Sequence, residues 1–345
     1  MIRVLIVEDS PTVTMLLKAL LDSDPEIQVI GTAANGDEGV QQALALRPDL
    51  ITMDIRMPIM DGFEATQRIM EACPTPIVVV SSNVESADLP ITFNAIRAGA
   101  LDVVEKPAGI GHADFETIRD RLLIAVKLMA EVKVIRRHRA RNVRTAIAPP
   151  EPYLRKPPAI LAIGASTGGP VALNTLLREL PSDFVLPVVV VQHMAAGFTQ
   201  GLIEWLQLES QLPLKIARND QRIYPGEVYF APDGYHLELC NRTMLRLGQT
   251  PPVSFARPSV TVLFESVAHI YGVEAVGILL TGMGDDGAAG LKAIRDRGGL
   301  TLVQDEATSV VYGMPAVAVK LGAADYVLPL DRIVPTLIEL VQVRR

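Results

Sequence analysis

The chain has 345 residues, about the length of two domains, and 49% of them are hydrophobic, which is ample for two buried cores. Its net charge of −7 gives no bulk electrostatic reason to bind nucleic acid. No apolar stretch approaches the length of a membrane span, and the two cysteines, Cys73 and Cys240, have no metal-ligand spacing. We therefore expect a protein of the reducing cytoplasm without direct membrane insertion.

Strand and helix patterns alternate regularly from residue 1 to about residue 128. The first seven residues run straight into a strand and lack the layout of a signal peptide. The alternation predicts a parallel sheet with helices on both faces. The predicted strands are Val4–Val7, Val29–Thr32, Leu50–Met53, Ile77–Val80 and Val103–Val104, with amphipathic segments at Thr12–Leu21 and Glu38–Leu46 and a last helix from Asp114 to about Arg136.

Carboxylates, hydroxyls and one ammonium group follow successive strands of this half. They are Glu8 and Asp9, Asp54, Ser81 and Ser82, and Lys106. Because the carboxyl ends of parallel strands meet in one crevice, we expect these groups to lie together and to bind Mg²⁺. Asp54 could then take a phosphoryl group, whose oxygens Lys106 and a serine hydroxyl would hold. Scattered surface acids are the plainer alternative, but the succession of groups favours a site.

This half resembles the receiver domains of two-component response regulators along its whole length. Met57-Pro58 and Met60-Asp61-Gly62 match the loop that follows the phosphorylated aspartate in that family. Val103 stands where many receivers carry an aromatic residue. The resemblance implies a flavodoxin-like five-stranded parallel sheet, Mg²⁺-dependent phosphorylation and a histidine kinase as phosphodonor. The implied site residues are Asp54 as phosphoacceptor, Glu8, Asp9 and Asp54 as metal ligands, and Ser81 and Lys106 as switch residues.

A basic, proline-rich segment separates the two halves. Between Lys133 and Pro158 the apolar periodicity disappears while arginines and prolines accumulate. Basic runs also occur at nucleic-acid contacts, but no aromatic residues are interleaved here, so a solvated tether with a docking role is favoured. The predicted organisation is a first domain at 1–128, a linker at 129–157 and a second domain at 158–345.

The second domain resumes the α/β alternation. Uninterrupted apolar runs predict buried strands of a doubly wound, mostly parallel sheet. Between them, Val228–Gly234 and His236–Leu239 are expected to form an inserted hairpin. The predicted sheet strands are Ile160–Ile163, Val188–Val191, Val276–Leu280 and Leu300–Val303.

Ser166 lies in a Gly-x-Ser-x-Gly motif, Gly164–Gly168, directly behind the apolar run Ile160–Ile163 and before a helix-like stretch at Val171–Leu177. Strand, tight turn and helix in this order indicate a nucleophile elbow, with the helix start available to an oxyanion. A glycine-rich loop that binds phosphate at the same helix start is the alternative.

A serine nucleophile needs a base and an orienting acid. His193 ends a strand beside that of Ser166 and is favoured over the other histidines. The acid is Asp285 or Asp286, and the spacing does not choose between them. Gly282-x-Gly284-x-x-Gly287 also matches the dinucleotide fingerprint, with Asp305 at the next strand end, but that interpretation leaves the serine and the histidine without a role.

The order Ser, His, Asp along the chain differs from that of ordinary α/β-hydrolases. Residues 159–345 instead resemble the catalytic domain of the chemotaxis protein-glutamate methylesterases, although Thr261 stands where that family often has Asp. The resemblance implies a triad of Ser166, His193 and Asp286, with the backbone of Met283 in the oxyanion hole. The matching segments are Ile163–Gly169, Gln192–Met194, Gly197–Thr199, Ala231-Pro232, Arg257–Val260, Leu280–Gly284, Asp286–Gly290 and Tyr312–Pro315.

The two resemblances together imply a phosphorylation-controlled serine hydrolase of sensory adaptation. It would demethylate glutamate methyl esters and deamidate glutamines on the helical cytoplasmic domain of a chemoreceptor, and the hydrolase chemistry would need no cofactor. A phosphorylation-controlled adaptor without chemistry and a nicotinamide-dependent enzyme are the alternatives from other functional classes. The intact triad argues against the first, and cofactor absorption on titration would identify the second.

Overall fold

The computed structural model describes residues 1–81, 89–107, 115–132 and 156–342. The chain divides into two compact units, Met1–Arg144 and Thr145–Arg345. The predicted linker at 129–157 lies almost wholly outside the described residues. At its start, the helix Phe115–Ala130 continues two residues beyond the predicted end of the first domain.

The first unit is a five-stranded parallel sheet with alternating helices. Its elements are β1 (Ile2–Val7), α1 (Pro11–Asp22), β2 (Ile27–Ala33), α2 (Gly36–Leu46), β3 (Leu50–Met53), α3 (Gly62–Ala72), β4 (Ile77–Ser81), α4 (Leu89–Ala98), β5 (Asp102–Glu105) and α5 (Phe115–Ala130). The strand order is β2-β1-β3-β4-β5, and every described pair is parallel. The order changes direction between β1 and β3, which is where open sheets of this kind place ligands.

Local sequence explains why these helices begin where they do. The side chains of Ser10, Asn35 and Asp61 each accept a hydrogen bond from the backbone N–H three residues later. Such caps satisfy donors that a helix start otherwise leaves free. The apolar stripe of α5 lies in the core as its spacing predicted, with Ile118, Leu122, Ala125 and Met129 all buried.

The second unit is a seven-stranded parallel sheet with helices on both sides. Its elements are β6 (Ile160–Ala165), α6 (Gly169–Glu179), β7 (Val188–Gln192), α7 (Thr199–Gln207), β8 (Leu214–Ile216), β9 (Val228–Phe230), β10 (His236–Asn241), β11 (Met244–Gly248), α8 (Val260–Tyr271), β12 (Ala275–Leu279), α9 (Ala288–Asp296), β13 (Leu300–Gln304), α10 (Met314–Lys320), β14 (Tyr326–Leu328) and α11 (Leu330–Gln342). The strand order is β14-β13-β12-β6-β7-β9-β8. The direction of winding changes between β6 and β12, so the loops after these strands face one crevice.

The inserted hairpin is present, but one of its two strands was predicted wrongly. Val228–Phe230 is β9, which lies in the main sheet between β7 and β8 and pairs parallel with both. The hairpin is formed by β10 and β11, which pair antiparallel as a separate two-stranded sheet. All three side chains of β9 are buried, so this strand is covered on both faces, as interior strands of parallel sheets are.

The position of α8 is fixed by the core of the second unit. Its residues Leu263, Phe264 and Val267 are completely buried in the main hydrophobic cluster. The N-terminus of α8 is thereby held at the crevice between β6 and β12. Among the described residues, no helix combines the length and the apolar character that a membrane crossing requires.

Candidate functional site

Three carboxylates and one ammonium group meet at the carboxyl end of the first sheet. Glu8, Asp9 and Asp54 each place a carboxylate oxygen within 4.8 Å of the others. The Nζ atom of Lys106 lies 2.9 Å from Oδ2 of Asp54 and 2.8 Å from Oε2 of Glu8. The structure therefore brings together the four charged residues that were predicted to meet because they follow strands of one parallel sheet.

Ser81 belongs to the same edge of the sheet. It is buried at the end of β4, and its carbonyl accepts a hydrogen bond of 2.9 Å from the backbone N–H of Lys106. Ser82, the neighbouring candidate, lies outside the described residues. Val103, in β5, is partly buried against the core of this unit.

The carboxylate cluster holds more negative charge than Lys106 alone can balance. Burial raises the pKa of Glu8, and the charge of Asp54 adds to this while Lys106 opposes it. Burial also raises the pKa of Asp54, with Lys106 opposing and Asp9 adding. Oε2 of Glu8 is buried and has no partner among the described residues other than the Lys106 ammonium group at 2.8 Å. Oxygen donors with excess negative charge fit a hard divalent cation such as Mg²⁺.

Ser166 lies in the tight turn between β6 and α6. Its backbone N–H donates to the carbonyl of Thr281 at 3.0 Å, and its carbonyl accepts from the N–H of Gly169 at 2.8 Å. The left-handed backbone of this turn is at Gly168, with a φ of 77°, and not at the serine. A Cβ at Gly168 would also lie 2.6 Å from Cβ of Val310, so the turn requires glycine there.

The loop after β12 passes directly beside Ser166. A Cβ added at Gly282 would lie only 2.7 Å from Cβ of Ser166. The carbonyl of Gly282 accepts hydrogen bonds from the N–H groups of Gly313 and Met314, which hold the loop in place. The N–H of Met283 has no partner among the described residues. It is therefore a donor available near the serine.

His193 and Asp286 form a hydrogen bond beside Ser166. Ala165 is in register with Gln192, and the N–H of His193 donates to the carbonyl of Ala165 at 3.0 Å. Nε2 of His193 lies 2.9 Å from Oδ2 of Asp286. The Ser166 hydroxyl makes no hydrogen bond within the described residues, which is common before substrate binds.

Four donors converge on the carboxylate of Asp286. The hydroxyl of Ser259 and the N–H of Val260 donate at 2.7 Å, and the N–H groups of Thr261 and Gly287 donate at 3.0 Å. Three of these residues form the start of α8, so the carboxylate also caps this helix. Thr261 takes part through its side chain as well, since its hydroxyl accepts the N–H of Gly287 at 2.7 Å.

The environment of Asp286 keeps it ionised. Burial acts to raise its pKa, but the hydrogen bond and charge of His193, together with the hydrogen bonds from Ser259 and Thr261, lower it to about 2. The ionised carboxylate therefore stabilises the fold fully above its ordinary pKa of 3.8, and this contribution is lost as the pH falls towards 2. Asp285, the alternative that spacing left open, is exposed.

His236 is a buried polar residue whose place in the site the sequence did not predict. It begins β10, in the predicted hairpin, and its ring is completely buried against the start of α8. Nδ1 accepts the N–H of Ser259 at 3.2 Å, and Nε2 lies 3.2 Å from the carbonyl of Pro251. These partners require the neutral ring with its proton on Nε2. His236 thus fixes the serine that holds Asp286.

Gln192 is a second supporting residue. The sequence feature that could have identified it is a polar side chain at the end of an apolar strand. Its side-chain amide donates at 2.8 Å to the carbonyl of Ser166 and at 2.8 Å to that of His193. The side chain thereby ties together the two strand ends that carry the serine and the histidine.

The dinucleotide interpretation of Gly282–Gly287 has no support in this geometry. The loop follows β12 rather than the first strand of its sheet, and its buried Asp286 is directed to the start of α8. Asp305, the proposed ribose ligand, instead accepts hydrogen bonds from the N–H and hydroxyl of Thr308.

The fold and the two sites define a class of protein: a response regulator whose output domain is an α/β hydrolase. A family model described as CheB methylesterase matches residues 161–337, and a response regulator receiver domain model matches residues 4–113. The chain is 51% identical, over 99% of both chains, to a protein-glutamate methylesterase/protein-glutamine glutaminase of Geobacter metallireducens. A protein of the same name from Nitrosospira multiformis is 48% identical over 100% of this chain and 98% of its own.

Among solved structures, the Thermotoga maritima CheB methylesterase catalytic domain matches with a TM-score of 0.52 and 40% identity. The match covers 53% of this chain and 99% of that domain. The chain belongs to the CheB methylesterase family and is an enzyme of the protein-glutamate methylesterase/protein-glutamine glutaminase type with a receiver domain. The family, the fold class and the enzyme class predicted from the sequence are confirmed.

Proposed function

We propose that Ser166, His193 and Asp286 hydrolyse glutamate methyl esters and glutamine amides on the cytoplasmic domain of a chemoreceptor. The observation that carries this proposal is the 2.9 Å contact of His193 with Asp286, at strand ends adjoining the turn of Ser166. The names of the relatives supply the reaction. A chemoreceptor is the substrate that a chemotaxis methylesterase implies, and a cytoplasmic enzyme would have access to it.

The geometry suggests how protons move during the reaction. Because Nε2 of His193 faces Asp286, Nδ1 is the nitrogen that takes the proton of Ser166 as the hydroxyl oxygen attacks the ester carbonyl. Asp286 is a positioning residue that holds the ring and stabilises its positive charge. The N–H of Met283 and the start of α6 would stabilise the negative charge that develops on the carbonyl oxygen.

The acyl-enzyme forms when the C–O bond to the methoxy group breaks and His193 returns the proton to the leaving methanol. Water then attacks the acyl carbon, His193 takes one of its protons, and Ser166 recovers its hydroxyl as the receptor carboxylate is released. With a glutamine substrate the same steps release ammonia. None of these steps requires a metal or an organic cofactor.

The carboxylate cluster of the receiver would serve phosphorylation. Glu8, Asp9 and Asp54 would hold Mg²⁺, which supplies the positive charge that a phosphoryl donor needs in order to approach these carboxylates. Asp54 would accept the phosphoryl group from a histidine kinase. Lys106, whose ammonium group already contacts Asp54, would hold the phosphoryl oxygens together with the hydroxyl of Ser81.

We expect a small phosphodonor such as acetyl phosphate to label the wild-type chain in the presence of Mg²⁺ and to leave Asp54→Ala unlabelled. Chelation of Mg²⁺ should abolish labelling, because the carboxylates would then repel the donor. Asp37→Ala, an acid of α2 outside the cluster, is the matched control and should be labelled normally. Intact-mass measurement provides the readout, and full labelling of Asp54→Ala would identify another acceptor.

We also propose that the unphosphorylated receiver inhibits the hydrolase. Phosphorylation converts the Asp54 carboxylate into a larger acyl phosphate with about one more negative charge, enough to shift a packed contact between two states. Such control would couple demethylation to the kinase and thereby to sensory adaptation. A long, proline-containing linker of the predicted kind would let the two domains dock.

Deletion of residues 1–130 should therefore raise the basal rate of demethylation, and phosphorylation should raise the rate of the full chain. The isolated catalytic domain of the Thermotoga maritima protein has been crystallised, which supports testing this part alone. A truncated enzyme no faster than the unphosphorylated full chain would contradict inhibition by the receiver. It would instead indicate activation or delivery of the enzyme to its receptor.

The experiment that tests the proposed function is mass spectrometry of a methylated chemoreceptor fragment incubated with the phosphorylated full chain. We expect the enzyme to convert both the glutamate methyl esters and the modifiable glutamines of the fragment to glutamates. A fragment left unchanged, while other esters are hydrolysed, would show that the substrate is not a chemoreceptor.

A further inference from the structure

A turn before α8 displays a phenylalanine that contacts almost nothing in its own unit. The backbone N–H and carbonyl groups of Val253 and Ala256 exchange hydrogen bonds of 3.1 and 2.9 Å, which close a two-residue turn. Phe255 lies at the tip, and its side chain is fully exposed. Burial of an aromatic ring is a major source of stability, so this ring contributes little to the fold.

The backbone of this turn is also unfavourable. Ser254 and Phe255 have φ angles of 46° and 61°, in the left-handed region that glycine and asparagine adopt most easily. A strained turn with an exposed aromatic ring at its tip is not explained by stability. Strain of this kind is found where a surface serves binding.

The turn leads directly into the active site. Phe255 precedes Ser259 by four residues, and the hydroxyl of Ser259 donates to Asp286 at 2.7 Å. Four residues of chain span at most about 14 Å. A helix with its side chains is about 10–12 Å wide, so a helix lying across the crevice would come within reach of the turn.

Arg257 adds an unpaired positive charge to the same segment. Its guanidinium group lies 3.3 and 3.5 Å from the carbonyl oxygens of Thr250 and Gln249 and is exposed. No carboxylate of the described residues pairs with it. The backbone contacts hold the side chain while leaving its charge available to an acidic partner.

Two more exposed apolar side chains flank the network that supports Asp286. Tyr235 precedes the buried His236, and Met283 precedes Asp286 by three residues. Both side chains are more than a third exposed. We call Tyr235, Phe255, Arg257 and Met283 the rim.

We propose that the rim is the docking surface for the helix that carries the reactive glutamates of the protein substrate. This inference rests on the proposed function. A helix with several glutamates presents carboxylates one turn apart, and these can pair with the guanidinium group of Arg257. Apolar side chains beside them on the helix can pack against Phe255 and Met283. Aromatic and arginine side chains contribute most of the affinity at protein interfaces.

The test compares a protein substrate with a small ester. Phe255→Asn removes the ring but retains a residue that tolerates the left-handed backbone, so the turn should keep its form. We expect the KM for a methylated receptor fragment to rise about 10- to 30-fold in this variant. The ratio of kcat/KM on the fragment to kcat/KM on p-nitrophenyl acetate should fall by the same factor. Arg257→Gln should act in the same direction, and its effect should shrink at high salt.

Leu208→Asn is the matched control, because Leu208 is an exposed apolar residue after α7 and outside the rim. A ratio for Phe255→Asn equal to that of this control would overturn the proposal. The proposal would also be overturned if unphosphorylated Phe255→Asn hydrolysed both substrates faster than wild type. The turn would then bind the inhibitory receiver and not the substrate. Wild-type hydrolysis of p-nitrophenyl acetate without any action on the fragment would instead reject the proposed substrate, and the docking proposal with it.

Discussion

Replacing Ser166 with alanine is expected to lower methanol release from a methylated receptor by about 10⁴- to 10⁶-fold. Without the hydroxyl no acyl-enzyme can form, and His193 has no proton to accept. The fold should persist, because the hydrogen bonds that shape this turn come from the backbone of Ser166 and not from its side chain. Initial rates of methanol release, compared at equal enzyme concentration, measure the effect.

Ser210→Ala is a suitable control, because Ser210 follows α7 in the same unit and its hydroxyl bonds to the backbone of Leu212 rather than to a residue of the site. It should keep the wild-type rate. A Ser166→Ala enzyme with a melting temperature like that of wild type and a comparable rate of turnover would show that another group is the nucleophile.

Asp286→Asn should lower the rate by about 10³- to 10⁴-fold, whereas Asp285→Asn should have little effect. In the wild type the Ser259 hydroxyl and the N–H groups of Val260 and Thr261 all donate to the carboxylate. The NH₂ group of asparagine would face at least one of these donors and could not accept its hydrogen bond. His193 would also lose the charge that stabilises its protonated form. Because the carboxylate caps α8 as well, we expect Asp286→Asn to lower the free energy of unfolding by on the order of 2 kcal/mol at neutral pH.

This stability difference has a defined pH dependence. The pKa of Asp286 is about 2, below its ordinary value of 3.8, so the part of the wild-type advantage that needs the ionised carboxylate should be fully present at about pH 4 and shrink as the pH falls towards 2. Melting temperatures of the two proteins across this range measure it. If Asp285→Asn proved the more damaging substitution in either assay, the assignment of the acid would be wrong.

The longer strands and the two clusters of polar strand ends could be predicted from the sequence because their signals are local, whereas the three-residue strands β8 and β14 were not predicted. Runs such as Ile160–Ile163 and Val188–Val191 are apolar throughout, and the observed strands extend them by one or two residues. Parallel pairing then brings the residues after these runs to one edge. This is why the neighbourhood of Ser166 and His193 followed from the sequence.

The rest depended on contacts between distant segments. The sequence predicts a hairpin strand at Val228–Phe230 because nothing local distinguishes a short buried strand from a hairpin strand, and only its pairing with β7 and β8 places it in the main sheet. The role of His236 was not predictable for the same reason, since its contact with Ser259 spans 23 residues. The choice between Asp285 and Asp286 came from family resemblance, and spacing alone did not provide it.

Methanol release from a methylated chemoreceptor cytoplasmic fragment, measured for wild type and Ser166→Ala with and without a phosphodonor, tests the central claim most directly. We expect wild type to release methanol in proportion to the carboxylates regenerated, faster after phosphorylation, and Ser166→Ala to release almost none in either state. Equal release by the two proteins, or none by phosphorylated wild type from a fragment that carries methyl esters, would contradict a serine methylesterase acting on receptors.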